Sequence, residues 1–133
     1  MSDMLNGKTI LLVEDEAIIA MDITAIVEGM GHQVTGNART HTEAVAMAAA
    51  DRPDLILADI QLADNSSGVE AVNEILAQFG DIPVIFITAF PERLLTGDRP
   101  EPAFLINKPY TEEQVRSAVS QAMFFSSTDS LRG

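Results

Sequence analysis

The residues of this chain that could do chemistry come directly after short runs of apolar residues. Glu14 and Asp15 follow one such run, and Asp59 follows another. Thr88 ends a third run, and Lys108 comes shortly after a fourth. Each run has the length and the unbroken apolar character of a strand that is buried on both faces. We therefore expect three carboxylates, a hydroxyl group and an ammonium group to lie at strand ends.

Three carboxylates gathered in this way repel one another unless a counter-charge lies between them. A hard divalent cation such as Mg²⁺ suits the site, because it binds carboxylate oxygens, a backbone carbonyl and water in octahedral geometry. The ammonium group of Lys108 is a point charge that suits phosphoryl oxygens. A carboxylate such as that of Asp59 can act as a nucleophile towards phosphorus. These residue types together indicate metal-assisted phosphoryl transfer.

Each feature also has an ordinary structural interpretation when it is taken alone. The acidic run 14–16 could stabilise the helix that follows it by interacting with the positive end of the helix dipole. Asp59 could simply mark the end of a strand. Thr88 could fill a strand, and Lys108 could be a surface lysine. The chemical interpretation is favoured because all four features fall at the carboxyl ends of different predicted strands.

The elements that position these residues alternate regularly along the chain. We predict strands at 9–13, 33–37, 55–58, 83–88 and 104–106, and helices at 17–30, 40–50, 67–79 and 111–125. Three of these helices are preceded by a capping box, in which Ser or Thr is followed three residues later by Glu or Gln. Prolines and a glycine leave room for only a short or irregular further helix, near 92–96.

Short buried strands that alternate with helices predict an α/β protein with a parallel sheet covered on both faces. We expect a flavodoxin-like, doubly wound (βα)5 fold whose five strands lie in the order 2-1-3-4-5. In that order the cleft lies over the carboxyl ends of strands one and three, where Glu14, Asp15 and Asp59 would meet. We expect one domain over residues 8–126, followed by a polar tail over 127–133.

The composition argues against several other functions. The 133 residues include no cysteine, which excludes disulfides, thiolate metal sites and cysteine nucleophiles. A formal net charge of −12 disfavours direct binding to nucleic acid and to anionic membrane surfaces. We find no apolar signal region at the start and no stretch long enough to span a bilayer, so we expect a cytoplasmic domain.

The residues at the strand ends resemble those of the receiver domain of two-component response regulators. The matching motifs are Glu14-Asp15, Asp59, Thr88-Ala89 and Lys108-Pro109. The resemblance covers residues 9 to about 125 and implies that Asp59 accepts a phosphoryl group from a histidine kinase or a histidine phosphotransfer protein. Thr88 and Lys108 would contact that group. Such a domain is not an enzyme, beyond Mg²⁺-dependent self-phosphorylation and autodephosphorylation.

The same resemblance implies a set of ligands for Mg²⁺. Asp15 and Asp59 would bind the ion directly through their carboxylates. Gln61 would contribute its backbone carbonyl, and Glu14 would act mainly through a water molecule.

A second set of motifs is similar to one subgroup of receivers. Segments 86–95 and 104–110 carry a Phe-x-Thr-Gly/Ala-aromatic signature, as in the general stress-response regulators of alphaproteobacteria, the PhyR type. In that subgroup a sigma-factor-like domain precedes the receiver, and phosphorylation frees it to bind an anti-sigma factor. We find no such domain in this chain, so we expect an excised receiver or a single-domain relative. Its partner would be a sigma-like output domain or an anti-sigma factor.

Two positions differ from the common receiver pattern or fall outside it. Leu105 stands three residues before the lysine, where typical receivers carry Tyr or Phe. We therefore expect phosphorylation to order or move residues 89–103 rather than to flip an aromatic side chain at position 105. Phe124 falls off the apolar face of the last helix, so we expect it to be partly exposed and available to a partner.

Two other functions are compatible with parts of the pattern. A hydrolase of the haloacid-dehalogenase type also uses a strand-end Asp, Mg²⁺, Thr and Lys, but it needs a second Asp where Gln61 stands and a cap insertion that we do not find. An interaction module could keep the fold without the chemistry. The complete four-part pattern of the Glu14-Asp15 pair, Asp59, Thr88 and Lys108 argues against such a module.

Overall fold

The computed structural model describes residues 7–89 and 103–132. Within these residues, five strands and four helices form a single α/β domain. The strands are β1 (Thr9–Val13), β2 (Gln33–Ala38), β3 (Leu55–Ala58), β4 (Val84–Thr88) and β5 (Ala103–Asn107). The helices are α1 (Ala17–Gly29), α2 (His41–Ala50), α3 (Gly68–Phe79) and α4 (Glu112–Arg132).

The five strands form one sheet in the order β2-β1-β3-β4-β5. Every neighbouring pair is parallel. The predicted flavodoxin-like order is therefore confirmed. Because all strands run in the same direction, their carboxyl ends meet at one edge of the sheet.

The sheet has a hydrophobic core on each face. Leu11 and Ile56 point to the face that α2 and α3 cover, and Leu12 and Leu57 point to the face that α1 and α4 cover. Successive residues of a strand point to opposite faces, so a strand with helices on both sides needs apolar residues at every position. The unbroken apolar runs in the sequence have this physical origin.

The predicted capping residues begin three of the helices. The Thr40 side chain accepts a hydrogen bond from the Glu43 amide at 3.1 Å, and Ser67 accepts from the amides of Val69 and Glu70. At α4, Thr111 Oγ1 accepts from the Gln114 amide at 3.1 Å. In the reverse direction, the Gln114 side chain accepts from the Thr111 amide at 2.8 Å. Each cap satisfies amides that the first helical turn leaves without a partner.

The last helix is longer than the sequence pattern predicts. The predicted end of this helix at residue 125 is too early, because α4 continues to Arg132, and the predicted domain bounds of 8–126 stay a prediction. Polar residues in a helix are only a few tenths of a kcal/mol less favourable than good helix formers, and each added residue gains a backbone hydrogen bond. The short helix expected near 92–96 and most of segment 89–103 lie outside the described residues.

Gly68 allows the start of α3 to lie directly against the strand end that carries Asp59. Its amide donates to the Ile60 carbonyl oxygen at 2.6 Å. A Cβ atom built on Gly68 would lie 1.7 Å from the Asp59 carbonyl oxygen, which no relaxation of a flexible side chain can relieve. Only glycine therefore fits where α3 meets the end of β3.

We predict that Gly68→Ala destabilises the protein by about 3 kcal/mol or more, because the backbone at Asp59 has to move. Gly29→Ala is the matched control: nothing lies within 4 Å of its added Cβ. This control should stabilise the protein by about 0.5–1 kcal/mol, since alanine is the better helix former. Urea unfolding measures both values. A Gly68→Ala variant as stable as the wild type would contradict the close approach.

Candidate functional site

Backbone hydrogen bonds hold the predicted site residues at adjacent strand ends. The Asp59 amide donates to the Val13 carbonyl oxygen at 2.8 Å, which fixes Asp59 beside the end of β1. The Lys108 amide donates to the Thr88 carbonyl oxygen at 2.9 Å, which fixes Lys108 beside the end of β4. The ladder of the sheet thus continues one residue beyond the strands. Glu14 follows β1 directly, next to Asp59.

Four acidic side chains cluster at this edge of the sheet, and three of them, Asp15, Glu16 and Asp59, line a cleft there. Carboxylate oxygens of Glu14, Asp15, Glu16 and Asp59 all lie within 4.8 Å of one another. Glu14 is 2% exposed and Asp59 is 7% exposed, whereas Asp15 is partly buried and Glu16 is exposed. The cleft has a volume of about 310 Å³, and Gln61 also lines it.

The ammonium group of Lys108 lies among these carboxylates. Its nitrogen is 2.9 Å from Asp59 Oδ2, 3.2 Å from Glu14 Oε1 and 3.3 Å from Glu16 Oε2. The Lys108 side chain is only 10% exposed. A buried carboxylate is strongly unfavourable unless it is paired, and this single cation is an ion-pair partner of both buried acids.

Both oxygens of Asp59 have a partner. Oδ1 accepts a hydrogen bond of 2.6 Å from the Ile60 amide, and Oδ2 accepts from the Lys108 ammonium group. Ile60 is itself buried in the core, so its amide is held in place. The carboxylate therefore has one defined orientation, with Oδ2 directed towards the ammonium group.

The protonation of the site follows from burial and from these contacts. Burial raises the pKa of Glu14 from 4.5 to about 7, although the Glu16 amide and the charge of Lys108 both act to lower it. Burial alone would lower the pKa of Lys108. The hydrogen bond to Asp59 and the charge of Glu14 outweigh that effect and raise this pKa above its usual range. The ammonium group therefore stays charged.

Thr88 lies at the end of β4 and Gln61 lies in the loop after Asp59, as the sequence predicts. The two side chains differ in what surrounds them. Thr88 is fully buried at the end of β4, and it is the next residue, Ala89, that lines the cleft. Gln61 forms an isolated antiparallel bridge with Ser67, which closes the loop after Asp59. Its side-chain oxygen is buried without a hydrogen-bond partner among the described residues. The roles of Thr88 and Gln61 remain predictions.

Glu16 is a member of the cluster that the sequence reasoning did not assign to the site. It occupies the N-cap position of α1, but its side chain forms no capping hydrogen bond. Instead it contacts the ammonium group of Lys108. A signal was present, because Ser, Thr, Asp and Asn are preferred at N-cap positions and Glu is not. A glutamate at the N-cap position beside two other acids indicates that its side chain binds a cation or another charged group instead of capping the helix.

The donor groups at the cleft fit a hard divalent cation. Carboxylate oxygens and a nearby backbone carbonyl are the ligands that Mg²⁺ prefers, and the described part of the cleft offers no sulfur or imidazole ligand. Gln61 also argues against a hydrolase of the haloacid-dehalogenase type, which needs an aspartate as general acid at this position. The N–H groups of an amide are far too weakly acidic to serve as a general acid, so position 61 cannot perform that step.

The fold and the acidic cleft with its lysine define a class of signalling domain. The family model of the response regulator receiver domain matches residues 10–120, and the chain belongs to this family. The chain is 63% identical over 117 residues to the phyllosphere-induced regulator PhyR of Methylorubrum extorquens. That alignment covers 87% of this chain and 43% of PhyR. The resemblance to PhyR-type receivers is thus confirmed.

Solved structures show the same relationship. The receiver domain of Erythrobacter litoralis PhyR has 53% identity and a TM-score of 0.85, covering 92% of this chain and 94% of that one. PhyR from Brucella abortus has 54% identity and a TM-score of 0.86, covering 95% of this chain and 51% of that one. The chain spans about half the length of the curated relatives that it matches first, 43% of PhyR and 57% of the PdtaR regulators.

We predict a pH dependence of stability that arises from Glu14 in the metal-free protein. Its folded-state pKa of about 7 lies above the ordinary value of 4.5 for the carboxyl group of a glutamate in an unfolded chain. Between these two values the unfolded chain ionises while the folded chain keeps its proton, so the unfolded state binds fewer protons and stability falls as pH rises.

Urea unfolding of the wild type and of Glu14→Gln, in the presence of a chelator, measures this contribution. The variant should gain stability relative to the wild type from about pH 4.5 to about pH 7, and the difference should be constant above that range. A difference that does not vary with pH would contradict the burial argument.

Proposed function

We propose that the chain accepts a phosphoryl group on Asp59 from a phosphohistidine donor, with Mg²⁺ bound, and thereby switches a partner-binding surface. The observation that carries this proposal is the 2.9 Å contact between Asp59 Oδ2 and the Lys108 ammonium group inside an acidic cleft. A strand-end carboxylate with an adjacent buried ammonium group is suited to attack phosphorus and to balance the charge of the product.

In the proposed step, Asp59 Oδ2 attacks the phosphorus atom and forms a P–O bond. The P–N bond to the donor imidazole breaks, and its electron pair remains on the imidazole nitrogen, which takes up a proton. Oδ1 stays hydrogen-bonded to the Ile60 amide, which keeps the attacking oxygen aligned. The Lys108 ammonium group, which pairs with the Asp59 carboxylate before transfer, then pairs with the phosphoryl oxygens. The Thr88 hydroxyl group also contacts the phosphoryl group.

Mg²⁺ would be held by Asp15, Asp59 and the backbone carbonyl of Gln61, with Glu14 acting through a water molecule. The ion supplies positive charge that offsets the charge on the phosphoryl oxygens during transfer. The clustering of four carboxylates supports this assignment. With a small donor, the same groups would carry out self-phosphorylation, and with water they would carry out autodephosphorylation.

We propose that residues 8–126 form the receiver domain and that its partners come from a stress-response pathway. A matching structure contains PhyR of Bartonella quintana complexed with the anti-sigma factor NepR; that PhyR has 60% identity and a TM-score of 0.61. The partners of this chain would be a histidine kinase or phosphotransfer protein and a sigma-like domain or anti-sigma factor. Leu105, 45% exposed, and Phe124, 68% exposed, offer apolar contacts for such a partner.

The predicted location of this chain in the cell is the cytoplasm. Among the described residues, the helices are too short or too polar to cross a membrane. We propose a cytoplasmic location because the phosphohistidine donors of receiver domains act there.

We predict that acetyl phosphate and Mg²⁺ add one phosphoryl group to the wild type and none to Asp59→Asn, as read by intact mass. A chelator should prevent the reaction. Steady release of phosphate without a stable adduct would support the hydrolase instead. An unchanged mass would support an interaction module, and a phosphorylated aspartate in Asp59→Asn would refute the assignment of Asp59.

We predict that Lys108→Ala binds Mg²⁺ at least as tightly as the wild type, because a competing positive charge is removed from the carboxylates. The variant should fail to respond to the phosphoryl mimic beryllofluoride, since no ammonium group contacts the mimic. Calorimetry measures the first property and backbone amide spectra measure the second. Lys8→Ala removes an exposed lysine just before β1, at the opposite end of that strand from Glu14, and is the matched control.

Equal beryllofluoride responses of Lys108→Ala and the wild type would refute the role of the ammonium group. A loss of Mg²⁺ affinity in Lys108→Ala would show that the lysine supports the metal site rather than competing with it.

A further inference from the structure

Tyr110, which follows Lys108-Pro109, forms a hydrogen bond to helix α1. Tyr110 donates its hydroxyl hydrogen to Asp22 Oδ2 at 2.7 Å, across 88 residues of sequence. The Tyr110 ring packs against the core on the face of the sheet that α1 and α4 cover. Its hydroxyl group is thus directed to α1 and not to the acidic cleft.

The short segment 108–110 is held at both ends. At one end, the Lys108 amide donates to the Thr88 carbonyl oxygen at 2.9 Å. At the other end, Tyr110 is bound to Asp22. Pro109 lies between them, and its ring fixes the backbone angle φ, which leaves this short segment fewer ways to absorb a displacement of Tyr110.

The hydrogen bond joins the two parts of the chain that carry the opposite charges of the site. Helix α1 begins at Ala17, directly after the acidic run 14–16 whose outer members contact the Lys108 ammonium group. Asp22 belongs to the same helix. The bond between Tyr110 and Asp22 therefore connects the segment that bears the ammonium group to the element that follows the acids.

The phenol remains a hydrogen-bond donor at neutral pH. Burial raises the pKa of Tyr110 above its usual range, and the hydrogen bond to Asp22 raises it further. A hydrogen bond from a neutral hydroxyl group to an ionised carboxylate is stronger than one between two neutral groups. The hydrogen bond between Tyr110 and Asp22 is therefore suited to hold segment 108–110 in a fixed position.

We propose that Tyr110 and Asp22 are positioning residues that hold the Lys108 ammonium group at the distance from the acidic cleft that phosphoryl binding requires. This inference rests on the proposed function of the cleft. Neither side chain contacts the reacting atoms, and both act through the placement of Lys108. Loss of the hydrogen bond between Tyr110 and Asp22 leaves the position of the Lys108 ammonium group less fixed, without removing its charge.

Tyr110→Phe tests this directly, because it removes one hydroxyl group and keeps the ring that packs on the core. The probe is beryllofluoride with saturating Mg²⁺, and the quantity measured is its dissociation constant from fluorine and amide spectra. We expect Tyr110→Phe to bind the probe about three- to tenfold more weakly than the wild type, as the loss of one hydrogen bond predicts. Asp22→Ala should show the same loss.

Two further variants show whether the bond itself is responsible. Asp22→Asn keeps an acceptor oxygen and should bind the probe nearly as well as the wild type. The double variant Tyr110→Phe/Asp22→Ala should bind no more weakly than either single variant, because the same interaction is already absent. Additive losses would contradict a single shared hydrogen bond.

Thr111→Val is the matched control for a purely structural effect. It removes a neighbouring hydroxyl group that caps α4 by accepting from the Gln114 amide at 3.1 Å. It should lower the free energy of unfolding and leave the affinity for beryllofluoride unchanged. If Thr111→Val weakens probe binding as much as Tyr110→Phe does, the effect is one of stability and the inference is wrong.

The results separate this inference from the function on which it rests. A wild type that does not bind beryllofluoride with Mg²⁺ overturns the proposed function and, with it, the positioning role. A wild type that binds the probe, with Tyr110→Phe binding equally well, overturns the positioning role alone.

Discussion

The contact between the Lys108 ammonium group and the carboxylates around it is the interaction on which this site depends. Glu14 and Asp59 are almost fully buried, and an unpaired buried ion costs on the order of several kcal/mol. Lys108 lies within 3.4 Å of both and also contacts Glu16. The pairing brings together chain positions 49 and 94 residues apart, which only the observed strand order makes adjacent.

The fold and the main site residues could be predicted because both follow from local patterns. The run Leu55–Ala58 is apolar throughout because β3 has helices on both faces, and that signal is present in the sequence. The strand order then places Glu14 beside Asp59 by a general rule of parallel sheets. The unusual N-cap residue Glu16 was visible in the sequence, but its partner Lys108 and the contact of Tyr110 with Asp22 were not predictable. They depend on side-chain directions across 92 and 88 residues, which no local pattern encodes.

The resting arrangement also contains the physical basis of a switch. The oxygens of Asp59, which would bind Mg²⁺ and the phosphoryl group, include one that the ammonium group of Lys108 contacts. Two positive charges cannot both stay close to them without repulsion, so binding of the ion has to displace Lys108 or weaken its contact with Asp59. Lys108 follows β5 on one side and precedes Tyr110 on the other, so β5, with the exposed Leu105, and α1 are the elements that a displacement of Lys108 would affect first.

The central claim is that Lys108 is the internal counter-charge of the cleft and shares its carboxylates with Mg²⁺. An NMR titration of the metal-free protein with Mg²⁺, following the Lys108 side-chain signal and the Asp59 amide together, tests this most directly. The account predicts that both signals shift in step and reach saturation at the same Mg²⁺ concentration. A Lys108 signal that stays unchanged while the Asp59 amide reports full binding of the ion would contradict it.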